Sequence, residues 1–373
     1  MKRKIKIGVD ARPLSYLLTG IGIYLKHLLN AIQQIDHDNF YYLISNGPIL
    51  YNLKNPNWSK IEGKYKQKLI STLWLQFNAP IICNKIGLDL FWGTRHNLPL
   101  ILPARTKTVL TIHDIVHRLY PATMTLENLL IERLLVKRSI TKADCVITDS
   151  FATVKDLNKY FRAVTNKVNV IYPGIPVLPS IEFPDNVVSD EHTPQNYFLF
   201  VGSLDPRKNF DRIFKAFEFI HPTNPDVHLI LAGGKGWKNT SFRKIIHSHP
   251  LKEYVHLTGY VSRERLKTLY QNALCLLFPS IYEGFGFPIL EAMSCGTPVI
   301  TSKTSSMSEV AGDAALLVDP FNQREISNAM EAVVKNKALR ARLRQKGFAR
   351  CKRFSWETCA LQTIGLFERV IVK

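Results

Sequence analysis

The chain has 373 residues, of which 46% are hydrophobic, and this length predicts two domains with sizeable cores. No run of about 18 uncharged apolar residues occurs, so no transmembrane helix is predicted. Six cysteines without metal or disulfide spacing favour reduced thiols and a cytoplasmic protein.

The net charge of +19 is spread unevenly along the chain. Residues 1–180 carry a net charge of +13, whereas the remaining residues carry +6. One interpretation is a basic, soluble protein, and another is attraction to an anionic membrane surface. A nucleic-acid partner is not predicted, because no binding-module signature occurs.

The first 32 residues are typical of a βα unit. Residues 4–11 predict a strand rather than a signal peptide. We expect a loop with Gly20 and Gly22, followed by a helix over residues 24–32, where apolar residues have helical spacing. A glycine turn between strand and helix is typical of a Rossmann domain, although any tight turn could use the same residues.

The next segments predict further strands and one helix of uncertain role. Residues 40–44, 88–92 and 108–112 are strand-like. Residues 60–90 mix lysines with Leu, Ile, Trp and Phe. This mixture predicts either a helix packed on the core or an amphipathic helix that contacts a membrane.

A histidine and an aspartate follow the strand at residues 108–112. Side chains at the carboxyl end of a parallel strand lie in the ligand crevice of such a sheet, so His113 and Asp114 are candidates for the site. A lone histidine is more often structural, and Asp114 would orient the His113 ring. Ser150 is predicted to cap a later helix.

A linker is predicted at residues 174–194, which contain four prolines and several acids. A strand at 197–201 then opens a second domain. Arg207 and Lys208 follow that strand, before a predicted helix at 210–219. A basic pair in this position suits a diphosphate, since Arg binds phosphate oxygens bidentately, although an ordinary solvated charge pair is the alternative.

The later elements complete the second domain. Strands are predicted at residues 227–232 and 255–261, a helix at 264–271 and a long basic helix at 324–348. A last helix is predicted to begin near Ser355.

Residues 278–300, FPSIYEGFGFPILEAMSCGTPVI, have the pattern strand, glycine loop, short helix and strand. Pro288 suits the first helical turn, and Gly296 ends the helix. The unpaired amides at the helix N-terminus favour a phosphate, and Gly284 and Gly286 allow its close approach. Glu283 lies in the loop, and Glu291 is expected in the first helical turn.

This string, with E-G-F-G-F-P-x-x-E-A-M, resembles the signature of the retaining glycosyltransferases of family 4. T-I-H-D-I-V at residues 111–116 and V-G-S-L-D-P-R-K-N at 201–209 extend the resemblance towards a bacterial mannosyltransferase-like branch. The family implies the GT-B fold, α/β, with two Rossmann-like domains facing across a cleft. The expected domains are 1–173 on the acceptor side and 195–355 for the nucleotide sugar, with helix 356–373 packing on the first.

The resemblance also implies roles for individual residues. It makes His113 and Glu283 catalytic, with His113 beside the donor sugar and Glu283 holding that sugar. Many members of the family carry Arg where this chain has Ser203, which puts more weight on Arg207. The remaining implied substrate contacts are Gly20, Gly22, Arg207, Lys208, Gly284, Phe285, Gly286, Phe287, Pro288, Ile289 and Glu291.

The implied activity is transfer of a hexose, first of all mannose from GDP-mannose, to a glycan or polyprenyl-linked acceptor of a bacterial surface polysaccharide. No cofactor and no essential metal are expected, because the positive clamp takes the metal's place. dTDP-rhamnose and UDP-sugars are alternative donors. A GT-B sugar-nucleotide epimerase and a non-catalytic binding protein are rival functions. A cytoplasmic location follows, with peripheral membrane association left open.

Overall fold

The chain folds into two compact units in a computed structural model. The structure describes residues 3–15, 20–64, 68–161, 166–176, 178, 193–234, 246 and 248–372. One unit comprises Met1–Gly174 and Phe354–Lys373, and the other comprises Ile175–Arg353. The predicted linker at 174–194 lies largely outside the described residues.

The first unit contains a seven-stranded, wholly parallel sheet in the order β3-β2-β1-β4-β5-β6-β7. The apolar run predicted as the first strand forms its centre, where Ile7 pairs with Tyr41 on one side and Leu90 on the other. Central strands of a parallel sheet are covered on both faces, which explains their nearly unbroken hydrophobic sequences. The strands are β1 (Lys6–Asp10), β2 (Phe40–Ser45), β3 (Trp58–Glu62), β4 (Leu90–Gly93), β5 (Lys107–Ile112), β6 (Cys145–Thr148) and β7 (Val168–Val170).

Helices follow most of these strands. The Ser150 hydroxyl accepts a hydrogen bond from the Thr153 amide at 3.1 Å, which confirms the predicted helix cap. The helices of this part of the chain are α1 (Gly20–Ile35), α2 (Lys68–Ile86), α3 (Val116–Leu119), α4 (Leu126–Lys142) and α5 (Phe151–Tyr160).

The second unit contains a six-stranded parallel sheet in the order β10-β9-β8-β11-β12-β13. Its first strand in the chain, β8, lies between β9 and β11, so the strand order reverses there as in a Rossmann domain. The strands are β8 (Tyr197–Val201), β9 (His228–Ala232), β10 (Val255–Gly259), β11 (Cys275–Phe278), β12 (Val299–Ser302) and β13 (Leu316–Val318).

The helices of the second unit follow its strands, and the last helix of the chain returns to the first unit. The side chains that face the sheet from the helices after β8 and β13, among them Phe214, Phe217 and Met330, form one core with those strands. The helices are α6 (Phe210–Ile220), α7 (Arg263–Asn272), α8 (Phe287–Ser294), α9 (Ser305–Ala311), α10 (Gln323–Lys335), α11 (Lys337–Cys351) and α12 (Trp356–Val372).

Three predicted details are wrong. Gly20 and Gly22 lie within the first turns of α1 rather than in a loop, and neither has a positive φ. The long basic helix is divided at Asn336, whose side chain accepts from the Leu339 amide at 2.8 Å and starts a new helix. Glu291 lies in the second turn of α8, because the helix begins at Phe287.

Two parallel-sheet α/β domains confirm the predicted fold class. No described helix is long and apolar enough to cross a membrane.

Candidate active site

In the second unit, the loops after two neighbouring strands carry the predicted binding residues. Arg207 and Lys208 belong to a short 3₁₀ turn after β8, and Glu283 lies in the loop between β11 and α8. Because β8 and β11 are hydrogen-bonded neighbours, their carboxyl ends bring the two loops together. The Ile281 amide donates to the Arg207 carbonyl at 2.8 Å, which joins the loops directly.

Glu283 forms ion pairs with both members of the basic pair. Its Oε2 lies 2.7 Å from Arg207 Nη1, and its Oε1 lies 2.6 Å from Lys208 Nζ. Burial alone would raise the pKa of Glu283, but the charges of Arg207 and Lys208 outweigh burial and hold that pKa below its ordinary value. The sequence predicted Arg207 and Lys208 for the diphosphate and Glu283 for the donor sugar. In the structure, the three side chains form one charge cluster.

The buried Lys208 is the most constrained cation of this cluster. Burial lowers the pKa of Lys208 below its ordinary value, although Glu283 opposes that shift. Its ammonium also lies 4.7 Å from the centroid of the Phe278 ring. The carboxylate and the ring together compensate a charge that would be costly to bury by itself.

Side-chain hydroxyls from α9 hold the glycine loop in place. Ser306 Oγ lies 2.8 Å from both the Glu283 and the Phe285 carbonyl oxygens, and Ser305 Oγ donates to the Glu283 carbonyl at 2.6 Å. Gly286 then adopts a φ of 115° immediately before α8, a conformation that side chains with a Cβ rarely adopt. The predicted loop residues Gly284 and Phe285 and the predicted helix start at Phe287, Pro288 and Ile289 are therefore contiguous with Glu283.

Glu291 has its own partners within the second unit. Its Oε1 accepts from Arg263 Nη1 at 3.0 Å, and its Oε2 accepts from the Tyr270 hydroxyl at 3.0 Å. Burial and the adjacent Glu291 raise the pKa of Tyr270 well above its ordinary value, so this hydroxyl keeps its proton and donates. Arg263 and Tyr270 lie on α7, and no motif in the sequence pointed to either.

In the first unit, His113 is held by residues from two other strands. Its Nδ1 lies 2.6 Å from Asp149 Oδ2 beyond β6, and its Nε2 lies 3.1 Å from the Thr94 carbonyl beyond β4. The expectation that Asp114 orients the ring is wrong. Asp114 Oδ1 instead accepts from the Val116 amide at 3.0 Å, at the start of α3. Because β5 ends at Ile112 and α3 begins at Val116, Asp114 lies in the bend between them and supports that helix start.

Two further histidines, His96 and His117, lie in the same region as His113. The His113 amide donates to His96 Nε2 at 3.2 Å, and Glu132 of α4 lies between the rings of His96 and His117, at 3.6 and 3.1 Å. Burial alone would raise the pKa of Glu132, but the two histidines hold it well below its ordinary value. Burial lowers the pKa of His96, yet Glu132 outweighs burial and raises it.

The start of α1 is linked to the same region of the first unit. The Tyr24 ring meets the His113 ring edge to face, with 4.9 Å between centroids. Gly20 is exposed with open space beside it, whereas Gly22 is buried. A Cβ at Gly20 would therefore meet no described neighbour, so packing does not require a glycine there.

Sequence reasoning missed Asp149, although one signal was available. Asp149 follows β6 as His113 follows β5, and β5 and β6 are adjacent strands. The rule that placed His113 at the carboxyl edge of the sheet therefore applies equally to Asp149.

Within the described part of the chain, no group of three His, Cys, Asp or Glu side chains is arranged to hold a metal ion.

Comparison with known proteins gives matches over part or all of the chain. Residues 184–350 match the family model of glycosyl transferases, group 1. The chain is 29% identical to O-antigen chain mannosyltransferase B of Escherichia coli, over 98% of this chain and 100% of that protein. It is 31% identical to O-antigen chain mannosyltransferase RfbU of Salmonella typhimurium, over 64% of this chain and 63% of the relative.

A solved structure extends the match to the whole fold. Sucrose-phosphate synthase from Thermosynechococcus elongatus superposes with a TM-score of 0.76 at 21% identity, covering 99% of this chain and 100% of that one. The fold is thus that of the two-domain GT-B enzymes. The chain is a glycosyltransferase, and its residues 184–350 match the model of the group 1 glycosyl transferases.

Proposed function

We propose that the protein transfers mannose from GDP-mannose, with retention of anomeric configuration, to a glycan or polyprenyl-linked acceptor of a bacterial surface polysaccharide. The observation that carries the proposal is the buried cluster of Arg207, Lys208 and Glu283 beside the N-terminus of α8. This cluster lies inside the segment that matches the family model. The choice of mannose is supported by the activity named for both bacterial relatives.

In the second unit, each polar group has a proposed role towards the donor. Arg207 and Lys208 bind the diphosphate, together with backbone amides at the start of α8. Glu291 binds the ribose, and its pairing with Arg263 and Tyr270 fixes the carboxylate for that contact. Glu283 holds a hydroxyl of the donor sugar.

In the first unit, His113 lines the donor-sugar pocket, and the exposed Gly20 at the start of α1 leaves room for substrate. Asp149 and the Thr94 carbonyl orient the His113 ring. We assign the acceptor to this unit, because the basic residues concentrate in the N-terminal half of the chain.

The chemistry is a front-face displacement. The bond between the sugar's anomeric carbon and the diphosphate oxygen breaks, and a bond to the acceptor oxygen forms on the same face. Arg207, Lys208 and the α8 amides stabilise the negative charge that develops on the diphosphate. The acceptor hydroxyl's proton passes to a diphosphate oxygen, so the mechanism needs no metal ion. The reaction takes place on the cytoplasmic face of the membrane, where the protein is peripherally bound.

Thermal stabilisation by nucleotides tests the donor assignment. We expect GDP to raise the melting temperature more than UDP or dTDP do, and EDTA to leave that shift unchanged, because cations of the protein bind the diphosphate. A selective shift with UDP or dTDP would contradict the GDP-mannose assignment. Assays with GDP-mannose should give mannosylated acceptor, whereas an isomerised sugar nucleotide formed without acceptor would indicate an epimerase.

The variant Glu283→Gln tests the cluster itself. We expect transfer to fall at least ~100-fold, since the contact to the reacting sugar is lost. Stabilisation by GDP should persist, because the substitution keeps both cations, Arg207 and Lys208, that bind the diphosphate. The matched control is Glu253→Gln, an exposed acid of the same unit, which should retain activity. Full activity in Glu283→Gln would remove Glu283 from the mechanism.

A further inference from the structure

The solvent-facing side of α2 is apolar. Leu73, Phe77 and Ile81 lie one helical turn apart, and each is between 56% and 70% exposed. The opposite side of the helix, with Leu75, Ala79 and Cys83, is fully buried in the core. The exposed side chains therefore do not contribute to the core, and a helix that met only water would carry polar residues there.

Helix α4 repeats the same arrangement. Leu126, Leu130 and Leu134 are also one turn apart, and they are between 52% and 74% exposed. Val136 and Ile140 on the other side of α4 are buried in the same core as the buried side of α2. Two helices that expose an apolar stripe at the same spacing are unlike the scattered single apolar residues of an ordinary surface.

The two stripes belong to one face of the first unit. Both helices pack on the same side of the sheet, and the segment Leu98–Leu100 is hydrogen-bonded to each of them. Gln76 of α2 bonds the Leu98 carbonyl and the Leu100 amide, and Ser139 of α4 accepts from the Leu98 amide at 2.9 Å. Ile101, 72% exposed, follows directly. We call these seven exposed side chains, three on each helix and Ile101, the α2–α4 surface.

Basic residues surround this surface, and acids are nearly absent from it. Helix α2 contains no Asp or Glu, and the exposed acid of α4 is Glu127. None of the six nearby cations forms an ion pair with a described residue: Lys85, Arg105, Arg133, Lys137, Arg138 and Lys142. A partner that complements this face has a negatively charged surface and an apolar interior beneath that surface.

We propose that the α2–α4 surface binds an anionic lipid bilayer. The apolar side chains enter the boundary between headgroups and acyl chains, and the cations contact the lipid phosphates. A second copy of the chain is a poorer occupant, because self-association through this face would bring the six cations of each copy together. The proposal deepens the proposed function and rests on it for one point, the lipid-linked acceptor.

Vesicle flotation tests this inference with the full chain. The vesicles contain phosphatidylcholine alone or phosphatidylcholine mixed with phosphatidylglycerol. Wild type should float with the mixed vesicles, and added salt should weaken that binding. Phe77→Ser combined with Leu130→Ser should reduce partitioning at least ~10-fold, because two apolar anchors are lost. Arg133→Gln combined with Lys137→Gln should weaken binding to the mixed vesicles and reduce its salt dependence.

The matched control is Leu361→Ser, which alters an exposed leucine of α12 in the same unit and should bind like wild type. Melting temperatures and the GDP shift show whether each variant is folded. Equal flotation of all variants, or binding indifferent to phosphatidylglycerol, would overturn the proposal. So would a wild-type dimer in light scattering that Phe77→Ser with Leu130→Ser converts to a monomer. Sugar transfer to a water-soluble acceptor does not require vesicles. Absence of that transfer would therefore contradict the proposed function and not the membrane-binding proposal.

Discussion

Asp149 and Asp114 are both near His113, but they have different tasks. Asp149 lies against the imidazole ring, whereas Asp114 supports the backbone at the start of α3. Asp149 is also almost completely buried, so the ring and the carboxylate form a pair that water does not replace.

We therefore predict different effects for two conservative variants. Asp149→Asn should reduce transfer about 100-fold, because an amide no longer fixes the orientation of the ring. Asp114→Asn should stay close to wild type, since an amide oxygen can still accept from the Val116 amide. Steady-state kinetics gives the activities, and imidazole NMR gives the protonation pattern of His113. An unchanged imidazole spectrum in Asp149→Asn would contradict the positioning role.

Which site residues could be predicted depended on where their partners lie in the sequence. Arg207, Lys208 and Glu283 each occupy a strand end or a glycine loop, and that local context pointed to them. The contact between Glu283 and the two cations depends on β8 and β11 being neighbours, which no local pattern encodes. Tyr270 was missed for a similar reason, because a tyrosine on a helix is ordinary until its buried carboxylate partner is known.

At the scale of elements, Glu132 connects α4 to the loop after β4. The carboxylate lies between the His96 and His117 rings, and the same His96 accepts from the His113 amide. The helix is therefore coupled to the His113 backbone through Glu132 and the buried His96 side chain.

The variant Glu132→Gln should lower the free energy of unfolding by about 2 kcal/mol near pH 6, the range for hydrogen bonds to a charged group. The lowered pKa of Glu132 means that its stabilisation is present above the unfolded-state pKa of about 4.3, and so at both pH 6 and pH 8. The raised pKa of His96 adds stabilisation that is complete below about pH 6.5 and is lost as pH rises through the folded-state pKa.

The difference between wild type and Glu132→Gln should therefore be larger at pH 6 than at pH 8. Urea denaturation at both pH values measures it. Glu127→Gln, an exposed acid on the same helix, is the control and should change stability by less than about 0.5 kcal/mol. A difference that grows towards pH 8 would show that the histidines are not the partners that matter.

Strands were predicted more faithfully than helix boundaries. A buried parallel strand is a short apolar run between turn residues, and β1, β5, β8 and β11 all have that form. Helix ends depend on capping contacts instead. Asn336 interrupts a basic stretch that looks continuous, and the hydrogen bond to the Leu339 amide that starts α11 is visible only in the structure.

At the scale of the whole molecule, the chain leaves the first unit and returns to it. Helix α12 packs on α1, and the Trp356 ring lies 5.9 Å from the Tyr24 ring and 5.5 Å from the His27 ring. Phe367 is 1% exposed and meets Trp92 of β4, with 5.4 Å between ring centroids. The last helix is thus part of the core of a unit whose other residues end at Gly174.

We predict that Phe367→Ala destabilises the first unit by about 3–5 kcal/mol, as expected for a buried aromatic side chain. Four of the five tryptophans lie in the first unit, so tryptophan fluorescence during urea denaturation reports mainly on it. Phe219→Ala, which alters a phenylalanine on the exposed side of α6, should leave this transition unchanged. A transition unaffected by Phe367→Ala would mean that the unit folds without its C-terminal helix.

The charge cluster of the second unit has a consequence for selectivity among anions. Glu283 is a counter-ion that is covalently part of the protein, so its local concentration stays constant whatever the solution contains. An anion that approaches Arg207 and Lys208 must compete with this resident carboxylate, and a singly charged ion such as chloride offers no more charge than the group it would displace. Two adjoining phosphates offer more, and they can share the cations while the carboxylate turns to another partner. The Glu283 carboxylate therefore makes the cluster selective: a diphosphate can displace it from Arg207 and Lys208, whereas a singly charged anion gains nothing by doing so.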